Sequence, residues 1–316
     1  MDSAPPELTS EPTGVAVLPA SVVVPTYNHA DRLTTCLDAL LRQDFPATDY
    51  EVVIVDDGSG DHTAEVVAGY ARSDTRVRYL RQPNQGPAAA RNLGARHARG
   101  ALVLFTDDDC VPEPDWIREM QRPFLEDPLV MAVKGVYRTR QESLVARFAQ
   151  IEFETRYRRL ARQPYIDFVD TYSAAFRRDL FLDLEGFDVS FPEANNEDVE
   201  FSYRMAARGC RMVFNPRAVV YHTHPDTMYK YLKVKFGRAY WRMVVYRAYP
   251  TKMKSDSYTP QTLKLQIALS FFLGVALLAG WIGVASWYWL VPIGALYFLT
   301  TMPFLASWLA WPPLHR

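Results

Sequence analysis

The hydrophobic residues in the front half of the chain form short β-rich runs that alternate with stretches whose apolar positions recur at helical spacing. The β-rich runs are residues 21–24, 51–55, 77–80 and 101–106, and the helical stretches are residues 32–43, 62–71 and 87–98. Repeated β-then-α units of this kind predict a parallel sheet covered by helices. We therefore expect an α/β fold in which ligands bind beyond the carboxyl ends of the strands.

The pattern changes after residue 112, where helices mix with shorter strands up to residue 224. This part contains the acidic run NNEDVE at residues 195–200, which starts a predicted helix that runs to about Gly209. Single domains commonly contain about 100–200 residues. We therefore predict one domain over residues 18–227, followed by a different kind of structure.

The C-terminal part of the chain is almost wholly apolar, because the 50 residues from 265 to 314 include no Asp, Glu, Lys or Arg. A helix that spans a bilayer needs about 20 apolar residues, so this stretch has room for two spans. Within a predicted membrane segment at residues 263–311, we expect a helical hairpin of residues 263–284 and 287–309, connected near Ala285-Ser286. The alternative is a pair of buried helices in a soluble core.

A strongly basic segment, residues 228–258, precedes the predicted hairpin. Residues 228–255 hold eight Lys or Arg residues and no acidic one, interleaved with aromatic and apolar residues. This composition predicts an amphipathic helix that lies on an anionic leaflet, with its basic side chains near lipid phosphate. Basic residues beside the first span also place that side in the cytoplasm. The alternative is an ordinary helix with a solvated basic face.

Charge, cysteine content and the N-terminus narrow the function classes. The net charge of −1, from 35 basic and 36 acidic residues, argues against a nucleic-acid partner, which normally needs a basic excess. The three widely spaced cysteines favour a reducing compartment. Residues 1–17 lack the basic start and apolar core of a secretory signal, so we expect a disordered leader there. These features predict a multi-pass protein of the cell (inner) membrane with its soluble domain in the cytoplasm.

Three consecutive carboxylates, Asp107, Asp108 and Asp109, follow an apolar run at residues 101–105. Carboxylates a few ångströms apart repel one another, and this cost persists only where a cation offsets it. In an extended chain Asp107 and Asp109 point to one side and Asp108 to the other. The outer pair can therefore share one hard divalent ion, Mg²⁺ or Mn²⁺, together with water and diphosphate oxygens. The alternative for any Asp-x-Asp is an acidic turn without an ion.

Two further polar segments in the front half have both a structural and a functional interpretation. The DDGS sequence at residues 56–59 suits a turn, and equally a carboxylate there can accept hydrogen bonds from a nucleobase or ribose. Residues 86–92 open a helix, and a helix start together with Arg91 would suit a diphosphate. The alternative at this position is a plain helix cap with a surface arginine.

Candidate catalytic chemistry in the second half rests on an acidic helix start and two histidines. The NNEDVE run is either an N-capped acidic first turn, stabilised by the helix dipole, or a turn in which Asp198 is a general base for an acceptor hydroxyl. His222 and His224 occupy alternate strand positions and so face one side together. A single histidine is more often structural, but a neutral imidazole beside a metal site is also a competent ligand.

Seven motifs follow one another between residues 21 and 224, which is nearly two thirds of the chain. They are SVVVPTYNHADRL, EVVIVDDGSGD, NQGPAAARNLGA, ALVLFTDDDCVPEPDW, EGFD, NEDVEFSYRMAARG and RMVFNPRAVVYH. In number, order and spacing these motifs resemble the large inverting family 2 glycosyltransferases of the GT-A fold. The resemblance implies a Rossmann-like domain with a mostly parallel sheet.

The resemblance also implies a role for individual residues. The first-strand Pro-Thr-Tyr and the DDGS turn match nucleoside contacts, and a basic residue matches a position near the donor. The Asp-x-Asp and the histidine after the last strand match metal ligands, and the Glu-Asp pair matches the catalytic position, with the Asp as base. We therefore predict the donor contacts Pro25, Thr26, Tyr27, Asp56, Asp57, Arg91, Asp107 and Asp108, the metal ligands Asp107, Asp109 and His222, and the catalytic residues Asp198 and Glu197.

The implied reaction is a single in-line displacement, with inversion at the anomeric carbon of a nucleotide-diphosphate sugar. Bound Mn²⁺ or Mg²⁺ would stabilise the departing diphosphate, while Asp198 activates the acceptor. The chain lacks the Gln-x-x-Arg-Trp motif of processive synthases, so we expect transfer of one hexosyl or related sugar to a lipid-linked or glycan acceptor at the cytoplasmic face. Two alternatives stay open: a polyprenyl-phosphate sugar synthase, and a non-catalytic nucleotide-sugar-binding membrane scaffold.

Overall fold

The computed structural model describes residues 19–191, 196–254, 256–257, 259, 261–283 and 286–309. Several predicted features lie partly or wholly outside these described residues: the leader, Asn195 of the acidic run, residues 255 and 258 of the basic segment, Val284 and Ala285 of the hairpin, and residues 310–311 of the membrane segment. The strands are β1 (Ala20–Thr26), β2 (Tyr50–Asp56), β3 (Val77–Arg81), β4 (Leu102–Phe105), β5 (Val111–Pro112), β6 (Val130–Arg138), β7 (Ala174–Arg177) and β8 (Arg211–Tyr221). The α-helices are α1 (Ala30–Leu41), α2 (Thr63–Ser73), α3 (Pro87–His97), α4 (Trp116–Glu126), α5 (Leu144–Leu160), α6 (Arg178–Asp183), α7 (Glu197–Ala207), α8 (Met228–Ala248), α9 (Pro250–Lys254), α10 (Gln261–Trp281) and α11 (Leu290–Leu309).

The described strands form one sheet in the order β3-β2-β1-β4-β7-β6-β8-β5. The first four strands are parallel to one another, and β6 is parallel to β8. Two strands run against their neighbours: β7 lies antiparallel between β4 and β6, and β5 is antiparallel to β8. The predicted α/β architecture with a mostly parallel sheet is therefore confirmed.

The strands beneath the site are buried along their whole length, because helices cover the sheet. Phe105, the last residue of β4, packs against Phe176, Phe181 and Phe187, with ring centroids 5.3–5.9 Å apart. Full burial of one such side chain contributes about 1.5–3 kcal/mol. This aromatic cluster therefore fixes the end of β4 immediately before the three aspartates.

Helix α3 packs on β1 so closely that only glycine fits at one position. A Cβ atom on Gly94 would lie 2.3 Å from Cγ1 of Val23, far inside van der Waals contact. The close approach sets the height of α3 above the sheet. Arg91, one helical turn earlier, is thereby held at a fixed distance from the end of β4.

The carboxyl ends of β1, β2 and β4 meet at one edge of the sheet, here called the rim. The register pairs Thr26 with Asp56, and Val23 with Phe105. Parallel neighbours therefore end together, and the polar segments that follow them gather at the rim as expected.

The predicted basic segment forms α8 and the short α9, and α8 packs against the soluble domain. Tyr231, Val245 and Tyr246 of α8 are buried. The hydroxyl of Tyr231 donates to Glu152 (2.7 Å), and Lys235 forms an ion pair with the same carboxylate (2.6 Å). The inward face of α8 thus carries charge as well as apolar side chains, and the predicted contact of its other basic side chains with lipid phosphate stays a prediction.

The C-terminal helices α10 and α11 contact one another. Among the described residues one helix, Thr262–Trp281, is long and apolar enough to cross a membrane by length and composition, and 11% of its apolar window is buried inside the protein. A core helix would be mostly buried. The described part of α11 does not meet the same criterion, so the predicted hairpin of two membrane spans is not confirmed.

Candidate active site

Two cavities open at the rim and share a wall. The larger has a volume of about 550 Å³ and lies over the ends of β1, β2 and β4. The smaller, of about 210 Å³, lies between the start of α7 and the inward face of α8. Arg91, Asp107 and His222 line both cavities. Ligands bound in the two cavities would therefore meet at these three side chains.

The larger cavity collects most of the predicted donor contacts. Its lining includes Pro25, Thr26, Tyr27, Asp57, Arg91, Asp107, Asp108, Asp109 and His222. Asp108 turns toward β1, where Thr26 donates to it (2.7 Å) and His29 lies 3.1 Å away. Asp107 and Asp109 turn instead toward Arg91 and His222. The acidic triplet is thus divided between two sides of the cavity.

Asp107 and Asp109 lie close enough together to share a divalent cation, and His222 lies beside Asp109. Ligand atoms of Asp107, Asp109 and Cys110 lie within 4.8 Å of one another, and Nε2 of His222 is 3.9 Å from Oδ1 of Asp109. Cys110 is buried, and burial raises the pKa of its thiol, which leaves it protonated. The carboxylates and the imidazole are therefore the groups that would hold Mn²⁺ or Mg²⁺.

The second histidine has a structural environment. Nε2 of His224 lies 2.9 Å from the side-chain oxygen of Gln150. Burial lowers the pKa of His224 to about 3, so the ring is neutral. The structure therefore brings His222, and not His224, to the acidic group.

Arg91 is buried at the centre of the site, with 2% of its surface exposed. Its guanidinium donates to Asp107 (2.7 Å) and to Glu197 (2.9 Å). The helix start that presents it is set by Gly86, whose φ of 88° is in the left-handed region, and by Pro87 in the first turn. The alternative of a surface arginine is thus wrong, because two carboxylates from distant segments enclose the side chain.

The two aspartates of the DDGS turn occupy different environments. Asp57 lines the larger cavity and accepts hydrogen bonds from the backbone of Gln85 (2.9 Å) and Gly86 (2.8 Å). Asp56 has no exposed surface and accepts from the backbone of Ser59 (2.7 Å) and the hydroxyl of Tyr79 (2.5 Å). Asp56 therefore lies behind the cavity, where it shapes the turn and does not face the space for a donor.

The predicted catalytic pair begins α7 and lines the smaller cavity. Glu197 is buried, and its Oε2 has no hydrogen-bond partner among the described residues. Asp198 is partly exposed and accepts from the backbone of Val199 (2.8 Å). Burial raises the pKa of both carboxyl groups. The neighbouring charge of Asp198 raises the pKa of Glu197 further and Arg91 lowers it, while Arg242 and Arg91 lower the pKa of Asp198 only in part. A carboxylate with a raised pKa suits proton abstraction near neutral pH.

The start of α7 does not have the expected N-cap. Asn196, the N-cap residue, has a φ of 70° and makes no side-chain cap hydrogen bond. Its side chain donates instead to the backbone oxygen of Arg238 on α8 (3.1 Å). The turn that presents Glu197 and Asp198 is therefore joined to α8 through Asn196 and to α3 through the pair of Arg91 with Glu197.

The polar residues of the site that sequence reasoning missed include His29, Arg238 and Arg242. His29 lies beside Asp108, whose hydrogen bond raises the pKa of the imidazole. Arg238 and Arg242 line the smaller cavity together with Asp198. The spacing of four residues places these arginines on one face of a helix, but the pattern alone did not indicate what that face contacts.

The fold and the site together define a glycosyltransferase of the GT-A type. The model for glycosyl transferase family 2 matches residues 21–184, which is more than half of the chain. The chain therefore belongs to glycosyl transferase family 2.

Curated relatives match this chain over part of their length. Glycosyltransferase AglE of Haloferax volcanii is 38% identical over 98 residues, which are 31% of this chain and 32% of AglE. The poly(ribitol-phosphate) beta-N-acetylglucosaminyltransferase TarS of Staphylococcus aureus is 38% identical over 120 residues, which are 37% of this chain and 21% of TarS. The matched region thus spans about a third or less of these relatives.

A solved structure extends the likeness over most of the chain. The mannosyltransferase PcManGT from Pyrobaculum calidifontis, in complex with GDP-Man and Mn²⁺, superimposes with a TM-score of 0.66 at 25% identity. The match covers 91% of this chain and 85% of that chain. The structural likeness therefore extends well beyond the residues matched by the family model.

Proposed function

We propose that this protein is a metal-dependent, inverting glycosyltransferase that moves one sugar from a nucleotide-diphosphate sugar to a membrane-associated acceptor. The observation that carries the proposal is the shared wall of the two cavities. Asp107 and His222 stand where the larger cavity meets the smaller one, and the smaller one also contains Asp198. A donor in the first and an acceptor in the second would place the reacting atoms between them.

The larger cavity suits the nucleotide part of a donor. Pro25, Thr26, Tyr27 and Asp57 provide a strand-end surface for a nucleoside. Asp107, Asp109 and His222 would hold Mn²⁺ or Mg²⁺, which when bound neutralises charge on the diphosphate leaving group. The PcManGT complex with GDP-Man and Mn²⁺ supports this assignment, because that protein shares the fold.

Asp198 suits the role of general base in the smaller cavity. Its carboxylate would take the proton of an acceptor hydroxyl as the oxygen forms a bond to the anomeric carbon and the bond to the diphosphate breaks. Attack from the side opposite the leaving group inverts the configuration at that carbon. Glu197, held by Arg91, would keep the turn in place for this step.

The membrane assignment rests on surfaces that a soluble protein would not expose. The apolar window of Thr262–Trp281 is only 11% buried, and α11 presents further apolar side chains such as Phe298 and Leu299. Contiguous apolar surface of this extent indicates contact with lipid or protein. We propose a multi-pass protein of the cell membrane, with the catalytic domain on the cytoplasmic side and its acceptor lipid-linked or a glycan.

The proposal can be tested by thermal stabilisation of the full-length protein with UDP, GDP and dTDP, each with and without Mn²⁺. We expect a metal-dependent rise in Tm for one nucleotide, and loss of that rise in Asp109→Asn. Transfer assays with the corresponding sugar nucleotides follow. Absence of both stabilisation and turnover across the panel would favour the non-catalytic scaffold.

The Asp198→Asn variant separates the remaining candidates. A hydroxyl acceptor needs a base, whereas the phosphate of a polyprenyl phosphate is already a nucleophile. Retained turnover in Asp198→Asn, together with its loss in Asp109→Asn, would favour the polyprenyl-phosphate sugar synthase.

A further inference from the structure

Residues 170–173, here called the connecting segment, lie directly before β7, between the smaller cavity and a candidate metal ligand. Thr171 and Tyr172 line the smaller cavity. The hydroxyl of Thr106, the residue before the three aspartates, donates to the backbone oxygen of Tyr172 (2.9 Å). The ring of Tyr172 packs edge-on against that of His222, with centroids 5.9 Å apart. The position of this segment therefore affects both the smaller cavity and His222.

The connecting segment is held at both ends. Its last residue, Ser173, accepts a hydrogen bond from the indole of Trp116 (2.9 Å). Ser173 also lies against Gly135 of β6, where a Cβ atom would be 2.2 Å from the Ser173 hydroxyl. The first residue, Asp170, forms an ion pair with Lys134, also of β6. Strand β6 therefore fixes the two ends of the segment through two adjacent residues.

The ion pair of Lys134 and Asp170 is wholly buried, with 0% and 1% of the two residues exposed. Apart from this contact, the ammonium and both carboxylate oxygens have no hydrogen-bond partner among the described residues. Removal of such charges from water costs several kcal/mol per ion, and well-packed apolar residues of similar volume often give the same or greater stability. The contribution of the pair to stability therefore does not account for its presence.

The pair lies behind the wall of the smaller cavity. Asp170 stands in the chain between Phe168 and Thr171, which both line that cavity, and Nζ of Lys134 is 5.3 Å from the ring centroid of Phe168. Burial raises the pKa of Asp170, Lys134 lowers it and the neighbouring charge of Asp198 raises it, so Asp170 is within electrostatic range of the candidate base. An ion pair favours one geometry, whereas apolar side chains of the same size can pack in several ways, so the pair defines the place of this wall narrowly.

We infer that Lys134 and Asp170 are positioning residues for the proposed sugar transfer, because their ion pair sets the place of the connecting segment. The inference rests on the proposed function, since it assigns the smaller cavity to the acceptor. Neither residue lines either of the two cavities, so their effect on the reaction passes through Thr171 and Tyr172. Tyr172 in turn positions the ring of His222.

A single and a double variant separate positioning from folding. Lys134→Met leaves the carboxylate of Asp170 buried without its cation, and should lower the Tm of the full-length protein in detergent. The double variant Lys134→Met/Asp170→Leu contains neither charge and should recover most of the lost Tm. A double variant no more stable than the single one would show that folding requires the pair, and would overturn the inference.

The double variant should fold but transfer sugar slowly. Nucleoside diphosphate should bind it as tightly as it binds the wild type, because Asp57 and the strand ends of the larger cavity lie outside the connecting segment. The kcat at saturating donor should fall by at least about tenfold, since a displacement of about 1 Å at the reacting groups can cost about 10²-fold. The affinity for Mn²⁺ in the presence of nucleotide should fall severalfold, because Tyr172 packs against His222. A wild-type kcat, an unchanged Mn²⁺ affinity or a loss of nucleotide affinity in the double variant would each overturn the inference.

The ion pair of Arg78 with Glu51 (2.7 Å) provides a control away from the rim, since Glu51 is the second residue of β2 and the rim lies at the other end of that strand. Glu51→Gln leaves Arg78 without its charged partner and should also lower the Tm. It should leave kcat and Mn²⁺ affinity unchanged; a fall equal to that of the double variant would show that lost stability alone is responsible, and would overturn the inference. Absence of turnover in the wild type would instead refute the proposed function, and the Mn²⁺ titration of the double variant would then decide whether the pair positions His222.

Discussion

Arg91 links the metal side of the site to the base side. Its guanidinium donates to Asp107 (2.7 Å) and Glu197 (2.9 Å), and 2% of the residue is exposed. Replacement by methionine keeps most of the side-chain volume but removes the charge. The carboxylate of Glu197, also 2% exposed, would then be buried without its cation. We therefore expect Arg91→Met to destabilise the protein.

The size of the effect follows from the burial of the partners. Removal of one member of a buried ion pair costs about 3–5 kcal/mol. Asp107 is partly exposed and can regain water, and burial already raises the pKa of Glu197, which favours uptake of a proton. We therefore expect about 3 kcal/mol, the lower end of that range. For a domain of this size, such a loss corresponds to a fall in Tm of about 6–12 °C.

Thermal unfolding of the full-length protein in detergent measures this loss. Because the charged form of Glu197 is the costly one, the deficit should shrink as the pH falls from about 8 to about 5.5. The double variant Arg91→Met/Glu197→Gln removes the buried charge and should recover most of the stability, whereas Arg96→Met on the exposed side of α3 should have no effect. A single variant as stable as wild type, or a double variant no better than the single one, would refute this reasoning.

Three other substitutions test separate parts of the molecule. Asp198→Asn should lower kcat by about 10²–10⁴-fold without loss of nucleotide affinity. Because burial raises the pKa of Asp198, the kcat/KM of the wild type should fall, as the pH is lowered, at a pH above the usual carboxyl range. A variant that keeps this fall at low pH would contradict the role of Asp198 as base. His222→Ala should weaken the affinity for Mn²⁺ in the presence of nucleotide by about tenfold, as measured by titration with the metal. An unchanged dependence on Mn²⁺ would show that His222 is not a metal ligand. Gly186→Ala should lower the free energy of unfolding by at least about 2 kcal/mol, since φ is 67° and the new Cβ would lie 2.4 Å from Oδ1 of Asn92. The control Gly69→Ala, at a helical position with open space around it, should instead stabilise the protein. Equal effects of the two substitutions on thermal unfolding would argue against strain at Gly186.

The front half of the fold could be predicted because its signals are local. Alternation and helical spacing identified β1 to β4 and the helices between them to within about two residues. The second half could be described only as mixed, because β7 owes its place to pairing with strands far away in the chain. Its antiparallel insertion between β4 and β6 depends on long-range contacts that leave no local pattern.

The site was predictable where topology alone gathers residues. Parallel strands brought the PTY, DDGS and DDD segments to one rim, so the sequence could indicate a donor cavity. It could not separate Asp56 from Asp57, because burial of Asp56 depends on Tyr79 of the neighbouring strand. The sequence also could not assign Arg238 and Arg242 to the site. An arginine on a basic helix can face either a lipid surface or a cavity, and only the packing of α8 shows that these two line the smaller cavity.

Helix α8 borders the smaller cavity on one side and is exposed on the other. Arg238 lies in the cavity wall, whereas Phe236, two residues earlier, is 78% exposed. Composition alone could not divide the helix in this way, because basic and aromatic residues alternate along it and only the position of α7 decides which of them face the cavity.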